Sequence, residues 1–268
     1  MTTSAMSTVE TRRDGSTGII TLARPAVFNC LSLATLADLA AALDAFEADA
    51  AIRAVLITAQ GKHFCTGAAL DEVLERHRDP EAIADLLARG HAVLDRLEAS
   101  PLPVVAAVHG LCLAGGLELV LSCDIVFAAA SARFGDQHAK FGLLPGWGST
   151  QRLPRIVGLR RALDLMLSAR WIDAAEAASW GLVNRVVEDA ALEREALAYA
   201  AQLGARSAPG LALMKRLARD GLEGSLAAGL RREAAMVAPE FASPDVAEGL
   251  AAFRERREPR FGAAEAGR

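Results

Sequence analysis

Two glycine-rich segments hold residues that could polarise a carbonyl group. The first, Gly61-Lys62-His63-Phe64-Cys65-Thr66-Gly67-Ala68-Ala69-Leu70, follows a short apolar run. The second, Ala114-Gly115-Gly116-Leu117-Glu118, lies between an apolar run and an apolar helical stretch. Glycine lets backbone approach a ligand closely. A helix starting near Gly115 would aim free N–H groups and its positive dipole end outward. One amide from each segment could then hold a carbonyl oxygen that gains negative charge, an oxyanion hole. The same glycines also fit tight strand-to-helix turns that bind nothing. Glu118 adds an acid inside the apolar run GGLELVL, a costly residue to bury without a purpose or a partner.

Other chemistries lack their residues. There is no GxGxxG around Gly115 and no GxxxxGK[ST], so nucleotide-phosphate loops are not indicated. There is no GxSxG elbow, no HExxH and no paired CxxC, so neither a serine hydrolase nor a metal centre is supported. The four cysteines, Cys30, Cys65, Cys112 and Cys123, form no disulfide framework and read as small buried hydrophobes.

The elements that must position these segments alternate between strand and helix. Thr17 to Ala23 reads as a strand after the Asp14-Gly15 turn signal. Ser32 can cap a helix with Leu36, Leu39, Ala40, Leu43 and Phe46 on its apolar positions. Ala54 to Ala59, Pro103 to Val108 and Asp124 to Ala129 read as buried strands. Pro80 opens another helix, with Ile83, Leu86, Leu87, Leu94 and Leu97 on one face. Asp173 with Glu176 resembles a capping box, Gly181 a stop, and Val183 to Val187 a last strand. Only helices are expected after Asp189, over about 190–203, 208–220, 225–238 and 244–257, the last opened by Ser243-Pro244. This predicts an α/β core over 8–190 followed by a helical region over 191–268, with no flexible linker.

Composition narrows the classes. The chain has 268 residues, 52% hydrophobic and 23% charged, enough to bury a core without staples. The net charge of -4 and the lack of a basic stripe with interleaved aromatics argue against nucleic acid as a partner. No apolar run reaches about 18 residues, so no membrane span is expected. Met1 to Ser7 lacks a signal-peptide layout and is expected to fray, which points to the cytoplasm. Arg254, Arg256, Arg257 and Arg260 form the longest basic cluster and read as the solvated face of a last helix.

The stretch from Pro103 through Arg155, PVVAAVHGLCLAGGLELVLSCDIVFAAASARFGDQHAKFGLLPGWGSTQRLPR, resembles the central signature of the enoyl-CoA hydratase/isomerase (crotonase) family. Upstream, Arg24 to Ser32 (RPAVFNCLS) resembles that family's RPxxxNALS segment, and Phe64 to Ala68 (FCTGA) its FCAGAD segment. Downstream, Gly181 to Asn184 and Phe253 to Phe261 also match, so the resemblance covers roughly residues 9 to 261. Several ordered motifs at matching spacing make it far more specific than a lone pattern.

The resemblance implies a spiral of β-β-α units with a C-terminal helical trimerisation region, and trimers that often pair into hexamers. It places Ala68 and Gly115 as the two oxyanion amides and Ala68, Ala69, Leu70 and Asp71 on the acyl-CoA contact segment. Ala26, in the first motif, and Trp147 join the substrate-contacting set. The basic tail falls where relatives can touch CoA phosphates. Relatives that hydrate use two glutamates. Glu118 matches the first, and the position of the second is His138. A histidine can give or take protons at neutral pH, so a Glu–His pair could still run hydration. His138 could equally be a pocket wall or a satisfied buried histidine. Asp136, two residues away, would share its face in an extended segment and could orient the imidazole or substitute for the acid. Ala69 stands where Asp is frequent, so a local hydrogen bond is expected to be missing. Trp147 stands where a small residue is usual, and either narrows the acyl pocket or packs outside it.

The leading expectation is a lyase that adds water to an enoyl-CoA through a stabilised enolate, needing no metal or redox cofactor. The rivals are double-bond isomerisation, thioester hydrolysis or decarboxylation through the same enolate, and a non-catalytic acyl-CoA binder. An RNA-binding role is disfavoured by the acidic balance.

Overall fold

The computed structural model describes residues 7–262. From the N-terminus run β1 (Val9–Asp14), β2 (Thr17–Leu22), α1 (Leu33–Ala48), β3 (Ala54–Ala59), α2 (Leu70–Arg76) and α3 (Pro80–Ala99). There follow β4 (Val104–Val108), β5 (Leu111–Leu113), α4 (Gly115–Leu121), β6 (Ile125–Ala129), β7 (Arg133–Gly135), α5 (Ser149–Val157) and α6 (Leu159–Ser168). The chain continues through β8 (Ile172–Asp173), α7 (Ala174–Ser179) and β9 (Arg185–Val187) into α8 (Leu192–Gly204), α9 (Ala208–Gly221), α10 (Leu226–Glu240) and α11 (Pro244–Glu255). The expectation of fraying for the residues before Ser7 lies outside the described residues.

Local chemistry sets most of these boundaries. Ser32, Asp79, Asp173, Ser207, Ser225 and Ser243 each accept a backbone N–H at a helix start, satisfying donors that the first turn leaves free. Gly181, at φ 81°, ends the turn after α7. The apolar runs of β3 and β4 are central strands, with Val55, Leu56, Ile57 and Val104 to Val108 fully buried. They read as continuous hydrophobic strings because a parallel sheet is covered on both faces.

The large sheet has the order β1-β2-β3-β4-β6-β9, antiparallel at the β1/β2 hairpin and parallel from β2 onward. Beside it runs a second, narrower ladder. Leu31 bridges Ala68, Cys65 bridges Cys112, and β5 pairs in parallel with β7, which pairs with β8. Each turn of chain therefore visits the large sheet, crosses to the narrow ladder and returns through helix. This is the spiral of β-β-α units expected from the sequence, followed by the helices of the C-terminal region. Within that region α8 returns to the core, burying Leu192, Ala196 and Ala200.

The hairpin strand β1 was not legible as a strand. Its sequence, VETRRD, buries only Val9 and leaves five residues exposed, so no apolar alternation marks it. Among the described residues no helix is long and apolar enough to cross a membrane.

Candidate functional site

The narrow ladder stitches the two glycine-rich segments together. Cys65 N donates to Leu111 O at 3.1 Å and Leu113 N to Cys65 O at 2.9 Å. Gly116 is required by this approach, since a Cβ there would stand 2.3 Å from Cys65 O. On the other side of the first segment, Leu31 N donates to Gly67 O at 2.8 Å and Ala69 N to Leu31 O at 2.9 Å. These bonds straddle Ala68 and leave its N–H without an acceptor among the described residues. The N–H of Gly115, first residue of α4, has none either, as helix geometry dictates. The two residues are neighbours: a Cβ on Gly115 would stand 3.1 Å from Ala68 N.

The turn into α4 is strained. Ala114 caps the helix at φ 49° and ψ -119°, a conformation L-residues rarely adopt, with its own N–H bound to Gly135 O at 2.9 Å. Such a backbone costs on the order of 1–3 kcal/mol and persists only where surrounding structure fixes it.

One helical turn further, Glu118 is only 1% exposed. Its Oε1 accepts Trp147 N at 2.8 Å, from the loop before α5, and Ser149 N at 3.0 Å, from the first residue of that helix. Its Oε2 faces His138 Nε2 at 3.9 Å. His138 Nδ1 lies 2.7 Å from Asp136 Oδ1, while Asp136 is fully buried and its Oδ2 has no partner. A carboxylate on Nδ1 fixes the proton there and turns Nε2 toward Glu118. The expected Asp136–His138 contact is thus present, but not through a shared strand face. β7 ends at Gly135 and His138 opens a 3-10 turn over His138–Phe141, so the contact is made around a bend.

Burial pushes the Glu118 carboxyl above its ordinary pKa. The Ser149 amide, the His138 charge and the Trp147 amide oppose this, and the nearby Asp136 charge adds to it. His138 is pulled down by desolvation, but the Asp136 hydrogen bond and the charges of Asp136 and Glu118 together raise it above an ordinary imidazole. The pair is coupled, so its titrations belong to both groups. The arrangement provides two proton-handling groups side by side, next to two free amides.

The remaining predicted residues lie around this centre. The segment from Arg24 to Ser32 runs beside residues 66–69, since Thr66 N also donates to Phe28 O at 3.2 Å. Ala26 sits exposed in its 3-10 turn, Pro25–Val27. Ala69 is the N-cap of α2, with no side-chain cap bond. Leu70 and Asp71 are exposed in the first turn of α2. The Trp147 indole is buried between two glycines: a Cβ on Gly115 would meet its Cζ3 at 2.8 Å, and one on Gly90 of α3 its Nε1 at 2.0 Å. In the basic tail Arg257 is engaged by Glu248 and Glu255, whereas Arg254 and Arg256 are exposed. Three of the four cysteines are buried and Cys30 is half-buried.

Sequence reasoning missed four contributors. Asn29 is buried and pins the first motif, donating to Gln60 O at 2.9 Å and His63 O at 2.8 Å. A buried Asn in a loop carries no type-specific signal, although the motif contains it. The amides of Trp147 and Ser149 have none, since any residue supplies an N–H. Gly90 breaks the otherwise good helix former pattern of α3, a visible cue that some neighbour needs the space.

A family model for enoyl-CoA hydratase/isomerase matches residues 12–264. The Rhizobium meliloti "Probable enoyl-CoA hydratase" is 39% identical over 253 residues, covering 94% of this chain and 96% of that protein. The rat mitochondrial methylglutaconyl-CoA hydratase is 38% identical, over 87% of this chain and 75% of the relative. Among solved structures, an enoyl-CoA hydratase from Bacillus anthracis superposes at a TM-score of 0.90 with 34% identity, over 95% of this chain and 98% of the other.

Proposed function

The chain belongs to the enoyl-CoA hydratase/isomerase family, and from that premise we propose that it adds water across the C2–C3 double bond of an enoyl-CoA thioester. The amides of Ala68 and Gly115 donate to the thioester oxygen, which makes C3 electrophilic and stabilises the enolate that forms next. Glu118, held through Oε1, uses Oε2 to take a proton from the attacking water. His138, protonated and oriented by Asp136, delivers a proton to C2, so the hydroxide at C3 and the proton at C2 sum to one water added, and the proton taken by Glu118 passes back to His138 to reset the pair. The CoA portion supplies remote binding energy, with Ala26, Ala69, Leu70 and Asp71 along its contact segment and Trp147 on the acyl side. No step requires a metal or a redox cofactor. The exposed apolar side chains Met214, Leu226, Phe241 and Phe253 on α9 to α11 are the surface that a trimer of this chain would cover.

The observation that carries this reading is the buried Glu118 carboxylate with one oxygen bound by two amides and the other 3.9 Å from His138. It favours hydration over isomerisation, which needs a single base, and over a binder without chemistry. Mass analysis after incubation with a panel of enoyl-CoA thioesters tests it. Products heavier by one water are expected. Isobaric isomers, free acids or decarboxylated products would replace hydration with a rival reaction, and a bound but unchanged panel would leave only the binder.

A further inference from the structure

We propose that Arg152 is a positioning residue for Glu118, acting through the loop Trp147–Ser149; the inference rests on the reading of Glu118 as the base. That carboxylate has hydrogen bonds from two donors, both main-chain N–H groups of this loop. Where the loop goes, Oε1 goes, and with it the aim of Oε2.

Trp147 and Gly148 have no regular structure of their own and lead into Ser149, the first residue of α5, with Gly148 at φ 115°. Arg152 clamps it. Its Nη1 donates to Trp147 O at 2.8 Å, so Trp147 is bound to Glu118 through its N–H and to Arg152 through its carbonyl. A Cβ on Gly148 would stand 2.1 Å from Nη1, which puts the guanidinium directly against the loop. Nη2 is anchored on α3 by Asp95 at 2.6 Å and Glu98 at 2.7 Å. Glu98 in turn receives Arg219 of α9 at 2.7 Å, and Arg219 also holds Asp124 at 2.9 Å beside Lys215.

The Arg152 side chain is 14% exposed and that of Glu98 23%, so this pair is largely shielded from water, while Asp95 lies at its exposed edge. A planar fork is what the geometry uses: one cation reaches the Trp147 carbonyl and, on α3, two carboxylates at once. Lysine keeps the charge but has a single nitrogen and cannot span them. The titratable groups facing Glu118 itself are His138 and Asp136, neither of which touches Arg152.

The test compares Arg152→Lys with the parent, Glu118→Gln, and Arg155→Gln as a control on the same helix, whose exposed guanidinium bonds, among the described residues, to Gln151 alone. Arg152→Lys is expected to lower kcat about tenfold with KM within about threefold. The acid limb of its kcat/KM profile moves to higher pH, because loosened amides no longer offset the burial of Glu118. An infrared carboxyl titration, read as each protein minus its Glu118→Gln counterpart, shows the same upward movement without substrate. Arg155→Gln leaves both unchanged. An Arg152→Lys protein that folds and keeps the parent's Glu118 titration overturns the proposal, whatever its activity. If that variant does not fold, Glu98→Gln removes one anchor, and an unmoved titration there overturns it equally. Full activity in Glu118→Gln would instead sink the catalytic reading, while the infrared titration would still decide whether Arg152 holds Glu118.

Discussion

The amides of Ala68 and Gly115 are set by backbone, whereas the carboxylate of Glu118 is set by side chains and a loop drawn from across the chain. Around the amides, ladder bonds from Leu31, Cys65, Leu111 and Leu113 fix the main chain, and the side chains at positions 68 and 69 are methyl groups. Around Glu118, the segment 147–149 gives two amides and His138 faces the other oxygen, with Asp136 holding His138 and Arg152 tying the segment to α3. The first region should therefore tolerate changes of side chain that leave its backbone path alone, and the second should not.

Three substitutions probe that contrast. Glu118→Gln keeps the shape of the side chain but removes the base, and is expected to lower turnover about a hundredfold or more with CoA binding largely kept. Steady-state kinetics beside a CoA-binding titration reads both. His138→Ala is expected to cost less, about tenfold, because Asp136 and water remain near the vacated position. In the parent, the active form needs Glu118 ionised and His138 protonated. Both are raised, so the pH–rate bell has its acid limb above the ordinary glutamate range and its basic limb above that of a free imidazole. A profile with limbs at ordinary values would remove the burial and Asp136 arguments together. The smallest effect belongs to the amide side. Ala69→Asp gives α2 the cap it lacks and is expected to stabilise the protein by about 1 kcal/mol in thermal unfolding, with kcat changed less than about twofold and any effect of the added charge on CoA contact read in KM. A large loss of turnover in this variant would mean that side chains matter on the amide side as well, and the contrast would fail.

The same division explains what the sequence revealed. The buried strands and capped helices were legible because apolar runs, Ser32, Asp79 and Ser243-Pro244 act locally. Glu118 was legible because an acid in an apolar helix has to be explained, and Gly115 because a glycine pair opens that helix. The loop amides at Trp147 and Ser149 were not, since backbone N–H groups have no residue signature. Arg152 was hidden for another reason: its partners, Asp95 and Glu98, lie more than fifty positions away, and only folding joins them. The bend after β7 also changed how Asp136 meets His138, because a three-residue strand ends too soon for face alternation to apply.

A crystal structure with a bound non-reactive acyl-CoA analogue tests the central claim most directly. The account predicts the thioester oxygen within hydrogen-bond distance of both Ala68 N and Gly115 N, with Glu118 Oε2 and His138 Nε2 beside C3 and C2. A thioester oxygen bound anywhere else, or an acyl chain leading away from Glu118, would contradict it.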